Sequence, residues 1–365
     1  MKLHVDREAL YEAVQVVSGL VPTRSTKPIL QNLKLSAAAA GSQILATDLE
    51  IGIRYGISGV EILEPGEVLL PARELAEILR ETDEERIHIE SSAGKVYIRT
   101  ERSEFNIFFE DPAEFPAIPE FNQKEQFTLP AETLLTLSAR VTFAVATEAT
   151  RYAINGVLTQ IEGKTLKMVG TDGKRLAFAK AKIDNPGGVK LNLILSTKGL
   201  NSISRIIGPD DKEIQISTQN NQIMFNTSRG TIVSLLVEGH FPNYEEVIPR
   251  DLGIKIDILR RTFESSLRKS RLMTTDDSRS ARLKFADNTL TLSSRAPEKG
   301  ESRIEMDIPY GGAPVEIGFD PRYVLDGLKA IHSETVRLEL KDAKSPGVLA
   351  DGKDYLYVIM PISLA

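Results

Sequence analysis

Residues 169–177 read VGTDGKRLA. Thr171-Asp172-Gly173 is a turn signal, because Asp bonds its own backbone and Gly accepts a positive φ. Before the turn, residues 165–169 (TLKMV) alternate apolar and polar. After it, residues 176–179 (LAFA) resume an apolar strand pattern. The stretch therefore reads strand, tight corner, strand. The corner holds two cations, Lys174 and Arg175, beside Leu176. Taken alone it reads equally well as an ordinary hairpin tip with solvated charges. Its interest comes from repetition: the same kind of unit occurs three times in the chain.

Working outward, three segments begin alike. Residues 2–5 (KLHV) lead into 6–10 (DREAL), 126–129 (QFTL) into 130–134 (PAETL), and 254–256 (IKI) into 257–259 (DIL). Each is a short alternating strand entering a helix, with Asp6 and Asp257 as candidate N-caps and Pro130 as a first-turn residue. In the first helix Leu10, Val14 and Val17 form an apolar stripe at helical spacing. A strand pair follows each helix: 33–35 with 43–49, 156–159 with 166–179, and 282–285 with 289–294. A second strand–helix unit comes next. Residues 68–71 open 72–82, residues 193–196 open 197–207 with Ser196 as cap, and 316–319 open 320–331 with Asp320 as cap and Pro321 in the first turn. The first two segments also end alike, with Phe115-Pro116-Ala117-Ile118-Pro119 and Phe241-Pro242-Asn243-Tyr244. The third stops at 357–362 (YVIMPI).

Corresponding points lie roughly 120–128 residues apart, one domain length. The pattern predicts an α+β fold: three tandem copies of one domain at residues 1–121, 122–249 and 250–365, each with two helices packed on antiparallel sheets. Strand–helix–strands occurs twice per copy, so each domain is itself pseudo-two-fold. Linkers fall near 121–124 and 248–253.

The 365 residues are 41% apolar and 26% charged, enough for real cores under an ordinary soluble surface. The absence of Cys excludes disulfides, thiolate metal sites and cysteine nucleophiles, and fits a reducing cytosol. The first residues lack the apolar core of a signal peptide, and no run approaches the ~18 apolar residues of a membrane span. Asn226-Thr227-Ser228 matches a glycosylation sequon that has no meaning in a cytosolic protein. A formal charge of −6 argues against a wholly basic nucleic-acid binder but permits a local basic surface.

Such a surface is expected on a helix at 258–273. Arg260, Arg261, Arg268, Lys269 and Arg271 stand there against one acid, Glu264. That is a local +4 in a chain of −6, leaving about −10 elsewhere. Arg260, Arg261, Arg268 and Arg271 share one sector of the helix, while Leu259, Phe263 and Leu267 occupy a neighbouring arc facing the sheet. The helix reads either as a solvated surface element or as one that presents Arg to phosphates. No zinc finger, RNP-like strand or helix-turn-helix accompanies it, so any DNA contact is expected to be blind to sequence. Likewise, three like units joined head to tail make either a bent rod or half of a closed ring.

Catalytic chemistry has no residue set. His4, His88, His240 and His332 are scattered, and none has HExxH spacing. There is no GxSxG, P-loop or GxGxxG after a strand. Asp83-Glu84-Glu85 and Asp276-Asp277 read as solvated acid runs, and Gly311-Gly312 as a loop. No enzyme activity, cofactor or metal is expected.

Several motifs, in this order and at this spacing, carry a resemblance. They are Pro28-Ile29-Leu30-Gln31-Asn32-Leu33, Ala46-Thr47-Asp48-Leu49-Glu50, Arg151-Tyr152-Ala153-Ile154-Asn155-Gly156, Thr171-Asp172-Gly173-Lys174-Arg175-Leu176-Ala177, Phe241-Pro242-Asn243-Tyr244 and Tyr357-Val358-Ile359-Met360-Pro361. Over essentially its whole length the chain resembles the bacterial DNA polymerase III beta subunits, the sliding clamps. The resemblance implies a head-to-tail homodimer ring of six domains around duplex DNA, non-catalytic and cytoplasmic. Its rival is a non-encircling scaffold that only binds peptides. Implied partners are the polymerase III alpha subunit, the clamp loader, and other polymerases and repair proteins with clamp-binding peptides. The family's peptide groove maps to Ile154, Thr171, Gly173, Lys174, Arg175, Leu176, Pro242, Val247, Tyr323, Val358, Met360, Pro361 and Ile362. Lys174 stands where the family commonly has His, and Ser363-Leu364-Ala365 replaces the common Arg-Leu ending. The dimer interface maps to Phe105 and Ile107 opposite Leu272 and Met273. DNA contact maps to Arg24 and Tyr152, to which the charge argument adds Arg260, Arg261, Arg268 and Arg271.

Overall fold

The computed structural model describes all residues except 93, 109, 125, 149–151 and 365. Arg151 of the third quoted motif and Ala365 thus lie outside the described residues. Six α-helices occur among the described residues: α1 (Arg7–Ser18), α2 (Ala72–Glu81), α3 (Ala131–Val141), α4 (Thr197–Ile206), α5 (Arg260–Arg271) and α6 (Pro321–Lys329). They fall two to each expected copy. None is long and apolar enough to cross a membrane.

Local chemistry explains the helix starts in part. The Asp6 carboxylate accepts from the Glu8 amide at 3.0 Å, a side-chain cap for α1. Asp320 accepts from the Arg322 amide at 2.9 Å, with Pro321 at the first position of α6. α5 departs from expectation. Asp257 is not its cap; the strand Ile254–Leu259 continues past it, and Asp257 bonds Arg337 across the sheet at 2.8 and 3.1 Å. Alternation decides this: Ile256 and Ile258 are buried while Lys255 and Asp257 are exposed. α5 starts only at Arg260, with Leu259 as an N-cap residue lacking a side-chain bond. Leu259 is accordingly 56% exposed, not turned to the sheet, whereas Phe263 and Leu267 are fully buried as expected. Pro130 ends a strand, and α3 begins one residue later.

Among the described residues the strands form four antiparallel sheets. Two have eight strands each, and these run across copy boundaries. In one, Ile51–Ile57 of the first copy pairs with Gly230–Leu235 of the second. In the other, Arg175–Lys182 of the second copy pairs with Tyr355–Ile359 of the third. The copies are thus joined by backbone ladders as well as by linkers. Compactness follows the shared sheets. One compact unit comprises 1–132 and 198–236, the other 133–197 and 237–365. In the first unit α1 packs on α2, and in the second α5 packs on α6. The second unit's apolar cluster includes Leu158, Val169, Leu176, Tyr244, Val348 and Val358.

Candidate functional site

The corner at 171–175 is built by its own side chains. Thr171 Oγ1 donates to the Arg175 carbonyl at 2.7 Å and accepts from the Gly173 amide at 3.1 Å. Asp172 Oδ1 accepts from the Lys174 and Arg175 amides at 2.9 and 3.0 Å. Gly173 lies at φ +84, which suits glycine. The first copy repeats the construction. Thr47 Oγ1 donates to the Ile51 carbonyl at 2.8 Å, and Asp48 Oδ1 accepts from the Glu50 and Ile51 amides at 3.0 and 2.8 Å. There the positive φ, +79, falls on Leu49.

The two corners differ in what stands beside them. In the first copy a Cβ added at Gly52 would meet Ile118 Cγ2 at 2.7 Å, and Ile118 joins Leu45, Phe115, Met224 and Val233 in a closed cluster. In the second copy Leu176 occupies the position of Gly52, and an apolar cavity of about 240 Å³ opens beside it. Its walls are Tyr152, Ile154, Thr171, Gly173, Arg175, Leu176, Pro242, Tyr244, Val247, Val358 and Met360. The last two come from the strand Tyr355–Ile359 and the tail beyond it. The tail is held by two backbone bonds: Met360 N to the Lys174 carbonyl at 2.9 Å, and Ile362 N to the Gly318 carbonyl at 2.8 Å.

Arg175 is the cation in the wall, and its bonds are all internal. Nε bonds Asp172 Oδ2 at 3.0 Å, Nη1 bonds Asp326 at 2.8 Å, and Nη2 bonds the Phe143 carbonyl at 2.9 Å. Its guanidinium stands 4.4 Å from the Tyr323 ring centroid. Burial opposes its charge, yet the carboxylates of Asp326 and Asp172 outweigh it and hold Arg175 firmly protonated. Tyr244 stacks on Phe178 at 5.9 Å, and burial, with Glu245 second, pushes its phenol up to about 12. The result is an apolar slot backed by a rigid polar network, suited to side chains of an extended peptide.

Nine of the thirteen residues mapped to the groove line this cavity. Lys174, Tyr323, Pro361 and Ile362 do not. Tyr323 sits behind Arg175, and Ile362 turns toward Gly318. Tyr152, mapped to DNA, also lines the slot, and Tyr244 was not singled out. The signal for Tyr244 was present in the match between residues 115–118 and 241–244, where an aromatic replaces Ile118.

The basic helix keeps Arg261, Arg268, Lys269 and Arg271 exposed. Arg260 is half-buried instead, bonding the Ser333 carbonyl at 3.0 Å, and Arg268 pairs with Glu264. Arg24 is exposed in the loop after α1. Phe105 and Ile107 lie on Glu104–Phe108, one of the two edge strands of the five-stranded sheet, beside the 77%-exposed Phe108. Leu272 is 67% exposed at the end of α5, while Met273 is half-buried. Among the described residues no three metal-ligating side chains converge.

A thrice-repeated α+β module whose copies share sheets, with a peptide-sized slot at one junction, defines a DNA-clamp subunit. The family comparisons agree along the chain. Residues 1–119 match the DNA polymerase III beta subunit N-terminal domain, 128–243 the central domain and 245–363 the C-terminal domain. The chain belongs to the DNA polymerase III beta subunit family. It is 32% identical over 368 residues to the beta sliding clamp of Pseudomonas aeruginosa, and 32% over 374 residues to that of Escherichia coli K12, covering all of each. The crystal structure of the DNA polymerase III subunit beta from Pseudomonas aeruginosa matches with a TM-score of 0.92 at 31% identity, covering both chains fully.

Proposed function

We propose that the chain is a sliding clamp: two copies close head to tail into a ring around duplex DNA and tether a DNA polymerase to it. The protein is a processivity factor, not a catalyst. The three modules are bounded at 1–121, 122–249 and 250–365, and the ring acts in the bacterial cytoplasm.

The carrying observation is that two of the sheet edges have exposed apolar side chains on or beside them. Glu104–Phe108 and Gly300–Asp307 are each an edge of their sheet, and α5, with exposed Leu272 at its end, packs on the second. Unpaired edges are templates for strand addition. Joining one edge to the other on a second copy satisfies both and covers Phe105, Phe108 and Leu272. Two such contacts close a two-fold ring. Arg24 and the exposed arginines of α5 contact phosphates, leaving the bases unread.

The slot beside Leu176 docks extended peptides of the polymerase alpha subunit, the clamp loader and other clamp-bound proteins. Tyr152 serves this groove as a wall residue. Sedimentation equilibrium at micromolar concentration tests the ring. A dimer that Phe105→Asp and Leu272→Asp each convert to a folded monomer supports it; a wild-type monomer contradicts it and favours the peptide-only scaffold.

A further inference from the structure

We infer that Lys174 selects, among peptides docking in the groove, those with a carboxylate beside their apolar anchors. This rests on the groove reading above and adds a partner chemistry to it.

The slot walls are almost wholly apolar, so they discriminate poorly among apolar anchors. Charge at the mouth is what remains to discriminate. Arg175 is not available, since Asp172, Asp326 and the Phe143 carbonyl already hold its guanidinium. Asp172 is turned under the corner, with both oxygens bonded by backbone and Arg175. Lys174 differs. It is exposed, it lies between the wall residues Gly173 and Arg175, and its carbonyl holds the Met360 amide of the opposite wall. No carboxylate among the described residues lies within 4.0 Å of its ammonium. Its backbone is fixed by the corner while its side chain is uncommitted, which suits a cation meant for a ligand.

The rim beside Val247 has the opposite sign. Glu245 and Glu246 are exposed next to the wall residue Val247; Glu245 accepts from the Tyr244 hydroxyl and Glu246 from the Asn243 side-chain amide. A peptide carboxylate is therefore favoured at the Lys174 side and disfavoured at the Val247 side. The same polarity sets the direction in which the peptide lies. An exposed pair of this kind contributes selectivity and association rate more than raw affinity.

The test uses the full-length dimer and three synthetic peptides sharing a two-leucine anchor, with Asp, Asn or Lys at the flanking position. Affinities are read by fluorescence anisotropy at low and high salt. Wild type is expected to prefer the Asp peptide over the Asn peptide by about threefold to fivefold at low salt, with the preference fading at high salt. Lys174→Gln abolishes the preference, and Lys174→Glu transfers it to the Lys peptide. An Asp preference unchanged in Lys174→Gln, or equal affinity of all three for wild type, overturns the inference and leaves the groove intact. Failure of all three peptides to bind wild type overturns the groove reading itself.

Discussion

Arg175 and Asp326, 151 residues apart in the chain, are joined by a 2.8 Å ion pair behind the groove wall. This bond ties the second-copy corner to α6 of the third copy, and Arg175 is only 12% exposed. The groove is thus held by a largely buried charge whose three nitrogens each have an acceptor, unlike the solvated hairpin tip that residues 169–177 equally suggest.

Arg175→Ala leaves Asp172 and Asp326 without their cation. Removing one partner of a buried pair costs about 3–5 kcal/mol. Urea denaturation should show a loss of this order, and peptide docking should weaken with it. The double variant Arg175→Ala with Asp326→Ala should recover part of the stability. Full stability of the single variant would show that the pair is not structural.

The two corners predict opposite responses. Gly173→Ala places a Cβ at φ +84 and should cost about 1–2 kcal/mol. Leu49→Asn relieves an exposed leucine at φ +79 and should gain about 0.5–1 kcal/mol. Thermal unfolding of the two variants checks both signs.

The tail depends on a close approach. A Cβ at Gly318 would meet the Ile362 carbonyl oxygen at 2.7 Å. Gly318→Ala should therefore displace the tail and weaken docking several-fold. Deleting residues 360–365 should abolish docking while sedimentation still shows the dimer. Unchanged peptide affinity after deletion would misplace the groove.

Tyr244 makes stability sensitive to alkali. Its phenol is raised from 10.0 to about 12 in the folded chain. A group raised on folding stabilises fully below its unfolded pKa and loses that contribution as pH rises through the folded one. Stability should thus fall between about pH 10 and pH 12, and Tyr244→Phe should make the fall shallower. Denaturation midpoints at pH 9, 10.5 and 11.5 measure this.

Local signals were legible in the sequence where a few neighbouring residues decide the outcome. Thr171-Asp172-Gly173 specified the corner, and Asp6, Asp320 and Pro321 specified helix starts. Long-range pairing was not. Nothing near Arg175–Lys182 reveals that its partner is Tyr355–Ile359, so the shared sheets and the compact units that follow them were invisible. Asp257 looked like a cap because local preference cannot see Arg337 across the sheet. The closed first-copy corner was hidden as well, since it depends on Ile118 reaching Gly52 from 66 residues away.

The central claim is that the protein holds DNA by surrounding it. The direct measurement loads labelled dimer onto nicked circular DNA with a clamp loader, then cuts the circle once at physiological salt. Prompt loss from the linear DNA, prevented when both ends are blocked by bound protein, is the predicted result. Equal retention on circular and unblocked linear DNA would contradict it.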